Sequence, residues 1–350
     1  MVKLADIARE LGINVSVISR ALSPSPDKNA VVKKETAELI RDTARRMGYR
    51  PNRQASFLGK GQCATIFCFL PDIPTRLIND LMFGIAETAC QENFPINFFL
   101  GRNAADFGKF LLHSEKNAHS GLLTLPPGKM PANILRDFCE YHRRGGKVLF
   151  LNTFSNTPVG TNNDAFADIP YLNIDEYYGG KLAAGHLLRC GCDEFFMVSA
   201  GQENIFAMRE AGFADRLAQA GVSIRKIDSG NLATLPLRGG RSGFFADSDY
   251  LALDMYPVFA ARGLKIGRDV LLCGFDDIFY SRISLPSLST VHQPTRLEGG
   301  MAVRKLVGMI YGDAGKNETV TPYLMVREST GGERPDPEFP EREQVIRTME

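Results

Sequence analysis

The sequence lacks the apolar segments that membrane insertion or export would require. Its longest apolar runs, such as residues 64–70, are far shorter than the roughly 20 residues of a membrane-spanning helix. The first residues, MVKLADIARE, contain no apolar stretch that could serve as a signal peptide. Seven cysteines are scattered through 350 residues, which favours free thiols in a reducing compartment over a disulfide framework. We therefore expect a cytoplasmic protein with no membrane partner.

Signatures of catalysis and of metal binding are also missing. The chain contains no phosphate-binding GxxxxGK(S/T) loop, no HExxH zinc motif and no GxSxG nucleophile elbow. Its five histidines show no metal-ligand spacing, and the close pair Cys190 and Cys192 has no second pair of ligands, which favours an ordinary loop there. The sequence therefore predicts neither an enzyme nor a protein that holds a metal or a cofactor.

The chain also has almost no net charge, +1 in all, which by itself argues against nucleic-acid binding. The charge is, however, unevenly distributed. Residues 1–60 contain 12 Lys+Arg and 6 Asp+Glu, whereas the rest of the chain contains 29 Lys+Arg and 34 Asp+Glu. A basic N-terminal segment followed by a mildly acidic body is the asymmetry expected of a DNA-binding head on a separate module.

Residues 1–48 show the apolar spacing of three short helices. The first has one apolar face at i, i+3, i+4 and i+7, formed by Leu4, Ile7, Ala8 and Leu11. Gly12 is the type of residue that ends such a helix, and a second apolar face follows after a short turn. A third helix-like stretch over residues 32–47 has apolar residues on one side and basic residues on the other. Two helices around a short turn, completed by a third, predict a helix-turn-helix domain.

The rest of the chain has a different pattern. Residues 49–61 form a linker of flexible composition, with Gly59 and Gly61 on either side of Lys60. From residue 64 onward, short apolar runs alternate with helix-like stretches in two successive blocks, the second starting after about residue 168. Such alternation predicts two α/β lobes with parallel sheets flanked by helices. Because ligands of parallel sheets bind beyond the carboxyl ends of the strands, polar residues directly after the apolar runs are candidates for a binding site.

Several stretches of the chain, taken in order, resemble the lactose/galactose repressor (LacI/GalR) family. Near the N-terminus they are DIARELG at 6–12, VISRAL at 17–22 and MGYRPN at 47–52. In the body they are LPDI at 70–73, GHL at 185–187, REAGF at 209–213, GFDD at 274–277, TVHQP at 290–294 and REST at 327–330. No single stretch is decisive, but their order and separations are, and the resemblance covers essentially residues 3–330.

The resemblance implies an N-terminal all-α helix-turn-helix head joined to an α/β, two-lobed, periplasmic-binding-protein-like body. It implies a transcriptional regulator, a repressor by first expectation, that binds double-stranded, palindromic operator DNA as a homodimer. A small-molecule effector, a sugar by first expectation, binds between the lobes and controls operator affinity. The expected domains are a head (1–48), a hinge linker or hinge helix (49–61), a first lobe (62–161 and 292–322), a second lobe (162–291 and 323–332) and a loosely ordered tail (333–350).

In a helix-turn-helix head, the second helix enters the major groove with its N-terminal residues toward the base edges. There, Val15 offers apolar contact to a thymine methyl, Ser16 a hydroxyl and Arg20 a bidentate bond to guanine. Ser19 is better suited to a phosphate. Simple packing is the alternative for Val15, and a phosphate or surface role for Arg20. The resemblance adds three hinge residues at the minor groove, the last as an apolar wedge: Asn52, Ala55 and Leu58.

For the effector, the resemblance points most directly to Arg209 and Asp276, whose charged groups suit the hydroxyls of a polyol. A pair that only bridges two segments of the fold is the alternative. Further pocket positions and the first strand-end loop add Asn152, Ser248, Asp249, Gln293, Asp72 and Thr75. Two departures concern the pocket. Residues 74–78 read PTRLI, where the family often has aromatic residues, and residues 228–243 are too short for a helix that the family normally has there.

Two other functions stay open at this stage. A two-lobed sugar-binding protein without a DNA-regulatory role would share the body but would have no use for the basic head. An enzyme built on the same body would need catalytic signatures that the sequence lacks. Removal of residues 1–60 would distinguish these functions from a regulator, since only a regulator would lose DNA binding while its body still bound a ligand.

Overall fold

The computed structural model describes residues 2–23, 31–49, 64–117, 119–126, 132–152, 169–199 and 204–332. The predicted hinge contacts Asn52, Ala55 and Leu58 lie outside these ranges, as do most of the linker and the predicted tail at 333–350. No helix within the described ranges is long and apolar enough to cross a membrane.

Three helices form the head, as the apolar spacing predicts: α1 (Leu4–Leu11), α2 (Val15–Ala21) and α3 (Lys34–Arg46). The first helix ends because Gly12 adopts a φ of 64°, a left-handed conformation that glycine reaches without steric cost. Asn14 then starts α2, its side chain accepting a hydrogen bond from the Ser16 backbone N–H at 2.9 Å. Ile7, Ile18 and Ile40 are completely buried between the helices. This small core fixes which face of α2 points outward.

The first lobe is a six-stranded parallel sheet in the order β11-β5-β4-β3-β1-β2. Its strands and helices, in chain order, are β1 (Ile66–Pro71), α4 (Arg76–Gln91), β2 (Ile96–Gly101), α5 (Ala104–Lys116), β3 (Gly121–Thr124), α6 (Ala132–Arg143), β4 (Val148–Leu151) and β5 (Tyr171–Ile174). The strands are almost entirely apolar, as expected for a parallel sheet that is covered by helices on both faces.

The second lobe repeats this architecture with a six-stranded sheet in the order β12-β10-β9-β8-β6-β7. Its elements are α7 (Glu176–Arg189), β6 (Glu194–Val198), α8 (Asn204–Ala218), β7 (Ile224–Ile227), β8 (Ser242–Ala246), α9 (Asp249–Ala261), β9 (Val270–Phe275), α10 (Phe279–Ile283) and β10 (Ser289–His292). The chain then returns to the first lobe through α11 (Thr295–Tyr311) and β11 (Glu318–Val320), and it enters the second lobe again with β12 (Tyr323–Met325). Among the strands that the structure describes, only β12 pairs antiparallel with its neighbour.

The predicted start of the second lobe at residue 162 needs a correction. The strand β5, which the sequence pattern assigns to the second block, pairs in parallel with β4 through Phe150 and Tyr171. It also pairs with β11 on its other side, so it lies inside the first sheet. The crossing into the second lobe therefore comes after Ile174. Alternation of strands and helices reveals that a strand exists, but it does not reveal which sheet the strand joins.

Glycines allow two helix pairs to pack with unusually close backbones. A Cβ on Gly212 in α8 would collide with the carbonyl oxygen of Tyr177 in α7, and a Cβ on Gly299 in α11 would collide with the carbonyl oxygen of Leu81 in α4. The first contact joins α7 to α8 in the second lobe, and the second joins α4 to α11 in the first lobe. The first turns of α7 and α11 are thereby fixed where the two lobes meet.

The segment at 228–243 has a short 3-10 helix, Ser229–Thr234, in place of the longer helix normal in the resembling family. Leu232 and Leu235 from this segment cover the apolar cluster that contains Phe196 and Phe244. The guanidinium of Arg262 donates to the carbonyl oxygens of Leu232 at 2.8 Å and Leu235 at 2.6 Å. Two leucines and one arginine thus close this face of the second lobe.

Candidate functional site

The four predicted DNA contacts of the head lie on one surface. Val15, Ser16, Ser19 and Arg20 are all exposed on α2, whereas Ile18 and Ala21 of the same helix are buried. Val15 is 43% exposed, so packing into the head does not account for it. The arrangement presents a methyl-bearing side chain, two hydroxyls and a guanidinium along the outer face of the second helix.

Arg209 is the centre of a buried polar group between the lobes. Its Nε donates to Glu176 Oε2 at 2.7 Å, and its Nη1 donates to the carbonyl oxygen of Asp247 and lies 3.6 Å from Asp276 Oδ1. Its guanidinium also stacks on the Phe275 ring, 3.7 Å from the ring centre. Burial by itself would lower the pKa of Arg209, but the neighbouring acids raise it, so the residue stays charged.

Glu176, the closest acidic partner of Arg209, is not among the sequence-predicted contacts. It is the first residue of α7 and follows β5 after a single residue. The close packing of α7 on α8 at Gly212 brings it to Arg209. The sequence did offer an indication, because Glu176 stands next to Asp175, one of the polar residues that directly follow an apolar run. Asp175 itself only caps the helix, accepting from the Tyr178 backbone N–H at 2.8 Å.

Asp276 and Gln293 join Arg209 from two strand ends of the second lobe. Asp276 follows β9 with a φ of 111°, and its Oδ1 accepts a hydrogen bond from Gln293 Nε2 at 2.6 Å. Gln293 follows β10 and is buried. Burial raises the pKa of Asp276 to about 6, although Arg209 opposes the shift. The structure thus brings three sequence-predicted residues, Arg209, Asp276 and Gln293, into one cluster.

The neighbouring acid, Asp277, has a different role. Its carboxylate accepts hydrogen bonds from Arg327 at 2.5 Å, His292 at 2.8 Å and Arg282 at 3.0 Å, and it is almost completely buried. Burial would raise the pKa of Asp277, but these donors lower it well below its ordinary value. All four residues belong to the second lobe, so Asp277 holds this lobe together and only Asp276 belongs to the Arg209 group.

Arg76, the first residue of α4, connects the two lobes. Its Nη1 lies 2.6 Å from Asp80 Oδ2 in its own helix, and its Nη2 donates to the backbone oxygens of Asp276 at 2.5 Å and Gln293 at 3.4 Å in the second lobe. This arginine is the charged residue of the PTRLI stretch. In this chain, the departure from the aromatic pattern therefore supplies a polar contact across the lobes.

The remaining members of the cluster come from the first lobe. Asn152 follows β4 with a φ of 45°, and its Oδ1 accepts from the Ile174 backbone N–H at 3.1 Å. Glu298, in the first turn of α11, is completely buried, and its carboxyl group faces Asn152 and Glu176. We call the following set the interlobe cluster: Arg76, Asn152, Glu176, Arg209, Asp276, Gln293 and Glu298. Three of these residues are not among the sequence-predicted contacts: Arg76, Glu176 and Glu298.

We correct the prediction that Asp249 contacts an effector. Its carboxylate is completely buried and already accepts three hydrogen bonds, from the Ile278 backbone N–H at 2.9 Å and from the hydroxyls of Ser281 at 2.6 Å and Thr290 at 2.5 Å. These bonds hold α10 and β10 against the start of α9, which is a structural role. Ser248 is partly exposed and caps α9, accepting from the Leu251 backbone N–H at 3.4 Å.

Asp72 and Thr75 lie on the loop after β1, and their side chains have other partners. Asp72 forms an ion pair with Arg102 at 2.8 Å, on the exposed edge of the first lobe. Thr75 is the N-cap of α4, its hydroxyl accepting from the Ile78 backbone N–H at 3.4 Å. In the described part of the chain, no group of three or more His, Cys, Asp and Glu side chains is arranged to hold a metal ion.

Comparison with known proteins agrees with this architecture. Residues 184–330 match the family described as a periplasmic binding protein-like domain. The transcriptional regulator RegA of Clostridium saccharobutylicum is 24% identical over 322 residues, which are 88% of this chain and 92% of that protein. The ribose operon repressor of Halalkalibacterium halodurans is 24% identical over 346 residues, 95% of this chain and 98% of that protein. A crystal structure of the Lac repressor dimer bound to operator superimposes with a TM-score of 0.61 at 20% identity, covering 94% of this chain and 99% of that one, which shows a shared fold.

Proposed function

We propose, for this member of the lactose/galactose repressor (LacI/GalR) family of transcriptional regulators, that the exposed face of α2 binds operator DNA and that a small molecule bound between the lobes controls this binding. One observation carries the proposal. A basic three-helix head, whose second helix points its contact residues outward, is joined in one chain to a two-lobed body with a buried polar cluster between the lobes. A sugar-binding protein or an enzyme would need the body alone.

At the DNA, we assign base contacts to Val15, Ser16 and Arg20 and a phosphate contact to Ser19, because all four share the outward face of α2. The hinge residues Asn52, Ala55 and Leu58 are proposed to contact the minor groove on the strength of the resemblance alone. The chain acts by binding rather than by catalysis in this proposal. It needs no cofactor, and it works in the cytoplasm.

A palindromic operator requires a dimer, and the second lobe has a surface suited to one. We name the α10 patch as the exposed apolar side chains Tyr250, Phe279, Tyr280, Ile283 and Leu285. The hydrogen bonds of Asp249 to Ile278 and Ser281 hold α10 beside the start of α9, so Tyr250 lies next to the other members. Contiguous exposed apolar surface of this kind marks protein interfaces. We propose that two copies of this chain meet there.

The interlobe cluster supplies what recognition of a polyhydroxyl ligand needs. Arg209, Asp276, Gln293 and Asn152 offer fixed charged and amide groups from both lobes, and such groups bind several hydroxyls at once. A sugar is therefore the first class of effector to test, and the ribose operon repressor among the relatives is consistent with that choice. Arg76 already bridges the lobes, so a ligand that competes with or adds to this bridge would change how the lobes close.

The proposal is tested by fluorescence anisotropy with operator fragments selected from a random pool, across a salt series. The full chain is expected to prefer near-palindromic fragments and to bind them less tightly as salt rises. Arg20→Ala should weaken binding by about 1–3 kcal/mol and relax the preference at one base position of each half-site. A wild-type chain whose binding neither prefers a sequence nor falls with salt would contradict the proposal.

Two comparisons make this result specific. Arg136→Ala removes an exposed arginine of the first lobe, which forms an ion pair with its neighbour Asp137 at 3.4 Å, and it should leave operator binding unchanged. If Arg20→Ala weakens binding to every fragment equally and lowers the salt dependence, Arg20 contacts a phosphate and not a base.

A further inference from the structure

We infer that the small molecule bound in the interlobe cluster carries a positively charged amino group, and that the carboxylates of Glu298 and Glu176 bind that group. This inference rests on the proposed function, since it assigns a chemical property to the proposed effector. It is compatible with a sugar, provided that the sugar is an amino sugar.

The first observation is a buried carboxyl group without a partner. Glu298 is completely buried, and neither of its carboxyl oxygens has a hydrogen-bond partner in the part of the chain that the structure describes. The amide of Asn152 lies close enough to favour the ionised form, but it does not reach hydrogen-bonding geometry. A buried carboxyl group is costly unless it is paired, so an acid at this position indicates that something pairs with it.

The second observation is where this carboxyl group lies. Glu298 is in the first turn of α11, which the close contact at Gly299 fixes against α4. Its polar neighbours are Asn152, from the end of a strand in the first lobe, and Glu176, from the start of α7 in the second lobe. The group therefore faces the junction of the two lobes, beside the Glu176–Arg209 ion pair. A ligand between the lobes would meet it directly.

The third observation is the balance of charge. The cluster has three acids, of which Glu176 and Glu298 are buried and Asp276 is partly buried, and Arg209 forms ion pairs with Glu176 and Asp276. The other arginine of the cluster, Arg76, pairs with Asp80 and with backbone oxygens. Burial raises the pKa of Glu298 to about 8 and that of Asp276 to about 6, as expected where acids outnumber cations. A neutral polyol would leave this imbalance, whereas a cationic ligand would remove it.

The chemistry of the site favours an ammonium group over a metal ion. No metal-holding group of side chains exists among the described residues, so the acids do not converge as metal ligands do. An ammonium group is a compact charge with three N–H donors, and it suits two carboxylates that approach from different lobes. Glu298 also lies in the first turn of α11, where the helix dipole favours a negative charge.

The test uses matched pairs of compounds in which an amine replaces a hydroxyl: glucosamine and glucose, galactosamine and galactose, mannosamine and mannose, ethanolamine and ethylene glycol, putrescine and 1,4-butanediol. A thermal-shift screen of the full-length chain selects the pairs in which the amine binds, and calorimetry gives the dissociation constants. At least one amine is expected to bind about 10-fold or more tightly than its hydroxyl counterpart. Glu298→Gln should weaken amine binding by at least about 10-fold and change hydroxyl binding little.

Calorimetry in two buffers of different ionisation enthalpy adds a readout that a structural role would not give. At pH 7 the amine should displace a proton from the cluster of the wild-type chain, and less proton release is expected from Glu298→Gln. The control Glu87→Gln removes an exposed glutamate of α4 that pairs with Arg296 at 2.8 Å, and it should behave as wild type. A screen in which no amine stabilises the chain overturns the inference, as does a preference for amines that survives Glu298→Gln.

Operator binding separates this inference from the function on which it rests. An amine that binds through Glu298 and changes operator affinity supports both. An amine that binds through Glu298 without changing operator affinity supports the ligand class and contradicts the proposed control of DNA binding. A hydroxyl compound that changes operator affinity while its amine counterpart does not bind contradicts the inference and leaves the proposed function standing.

Discussion

Among single residues, Glu298 and Asp249 are two buried acids that retain protons at pH values where exposed acids are ionised. Burial raises the pKa of Glu298 to about 8 and that of Asp249 to about 7. Three hydrogen-bond donors lower the pKa of Asp249 and so oppose the effect of burial. For Glu298, only the nearby Asn152 lowers the pKa, and the negative charge of Glu176 raises it further. Glu298 is therefore the acid whose ionisation without a ligand should cost the folded chain most.

The stability of the chain should fall as the pH rises through the neutral range. An acid whose pKa is raised on folding contributes stability that is fully present below its unfolded value, near pH 4, and that is lost as the pH rises through the folded value. For Glu298 and Asp249 this window runs from about pH 4 to about pH 8. Denaturant midpoints measured from about pH 6.5 to pH 9 should therefore decrease, and those of Glu298→Gln should decrease less above pH 7 because glutamine does not ionise.

Other residues whose pKa is shifted on folding give a different dependence of stability on pH. His186, whose pKa is lowered by burial from 6.5 to about 4, makes stability rise with pH only up to about pH 6.5, and Asp277, with its lowered pKa, changes stability only at more acidic pH. The pKa of Asp276 is raised, like that of Glu298, but only to about 6. The loss of stability that Asp276 causes is therefore complete before pH 8. If the midpoints of Glu298→Gln and of wild type follow the same curve above pH 7, Glu298 does not titrate in this range.

The sequence predicts about half of the interlobe cluster. The acids that it does not predict, Glu176 and Glu298, share one physical reason. Arg209, Asp276, Gln293 and Asn152 were found because they stand in motifs or directly after strands. Glu176 and Glu298 were missed because their importance depends on close helix packing between segments distant in the sequence. Asp249 was misassigned for the same reason, since its donors Ser281 and Thr290 lie 32 and 41 residues away.

Among the elements, the 3-10 segment Ser229–Thr234 shows how a shortened connection still covers a core. A 3-10 helix this short has little stability of its own. Leu232 and Leu235 are buried beside Phe196 and Phe244, and Arg262 of the following helical region binds the carbonyl oxygens of both leucines. The segment is thus held by one guanidinium from outside and by two apolar side chains from within.

Arg262→Ala should destabilise the second lobe by about 1–3 kcal/mol, because two charge-assisted hydrogen bonds to the carbonyl oxygens of Leu232 and Leu235 are lost. Urea unfolding measures the loss, and hydrogen exchange at residues 229–235 should accelerate more than exchange in the first lobe. Arg136→Ala, on the first lobe, is the matched control and should be close to neutral. Equal stability of Arg262→Ala and the control would mean that the leucines alone hold the segment.

Most of the elements themselves follow from the sequence. Apolar spacing predicts the three head helices, and alternation predicts the two α/β lobes, because each pattern reflects burial within one element. The sheet to which β5 belongs does not follow from the sequence, because a strand with the same apolar residues could pair in either sheet. Assignment of a strand to a sheet is decided by packing between distant segments, and local periodicity does not report that packing.

On the scale of the whole molecule, the head and the body have opposite charge, and a dimer would combine two basic heads on one operator. Residues 1–60 have 6 more basic than acidic side chains, and the rest of the chain has 5 more acidic than basic ones. The head can therefore attract DNA while the body repels it, which limits contacts of the body with DNA. Because each head reads one half-site, affinity for a palindrome depends on the dimer as much as on the contacts of either head.

This dependence can be tested through the α10 patch. Ile283 is 57% exposed on α10, and an aspartate there would place a charge in the proposed apolar contact between two copies. Ile283→Asp is expected to sediment as a monomer at concentrations at which the wild-type chain is a dimer, and to bind a palindromic operator at least about 10-fold more weakly. The control Leu112→Asp changes an apolar residue of the first lobe that is 55% exposed, and it should remain a dimer.

Binding to a single half-site should be the same in all three chains, because α2 is unaltered. A dimer of undiminished strength in Ile283→Asp would place the contact between copies elsewhere, whereas a monomer with undiminished palindrome binding would mean that the two heads act independently.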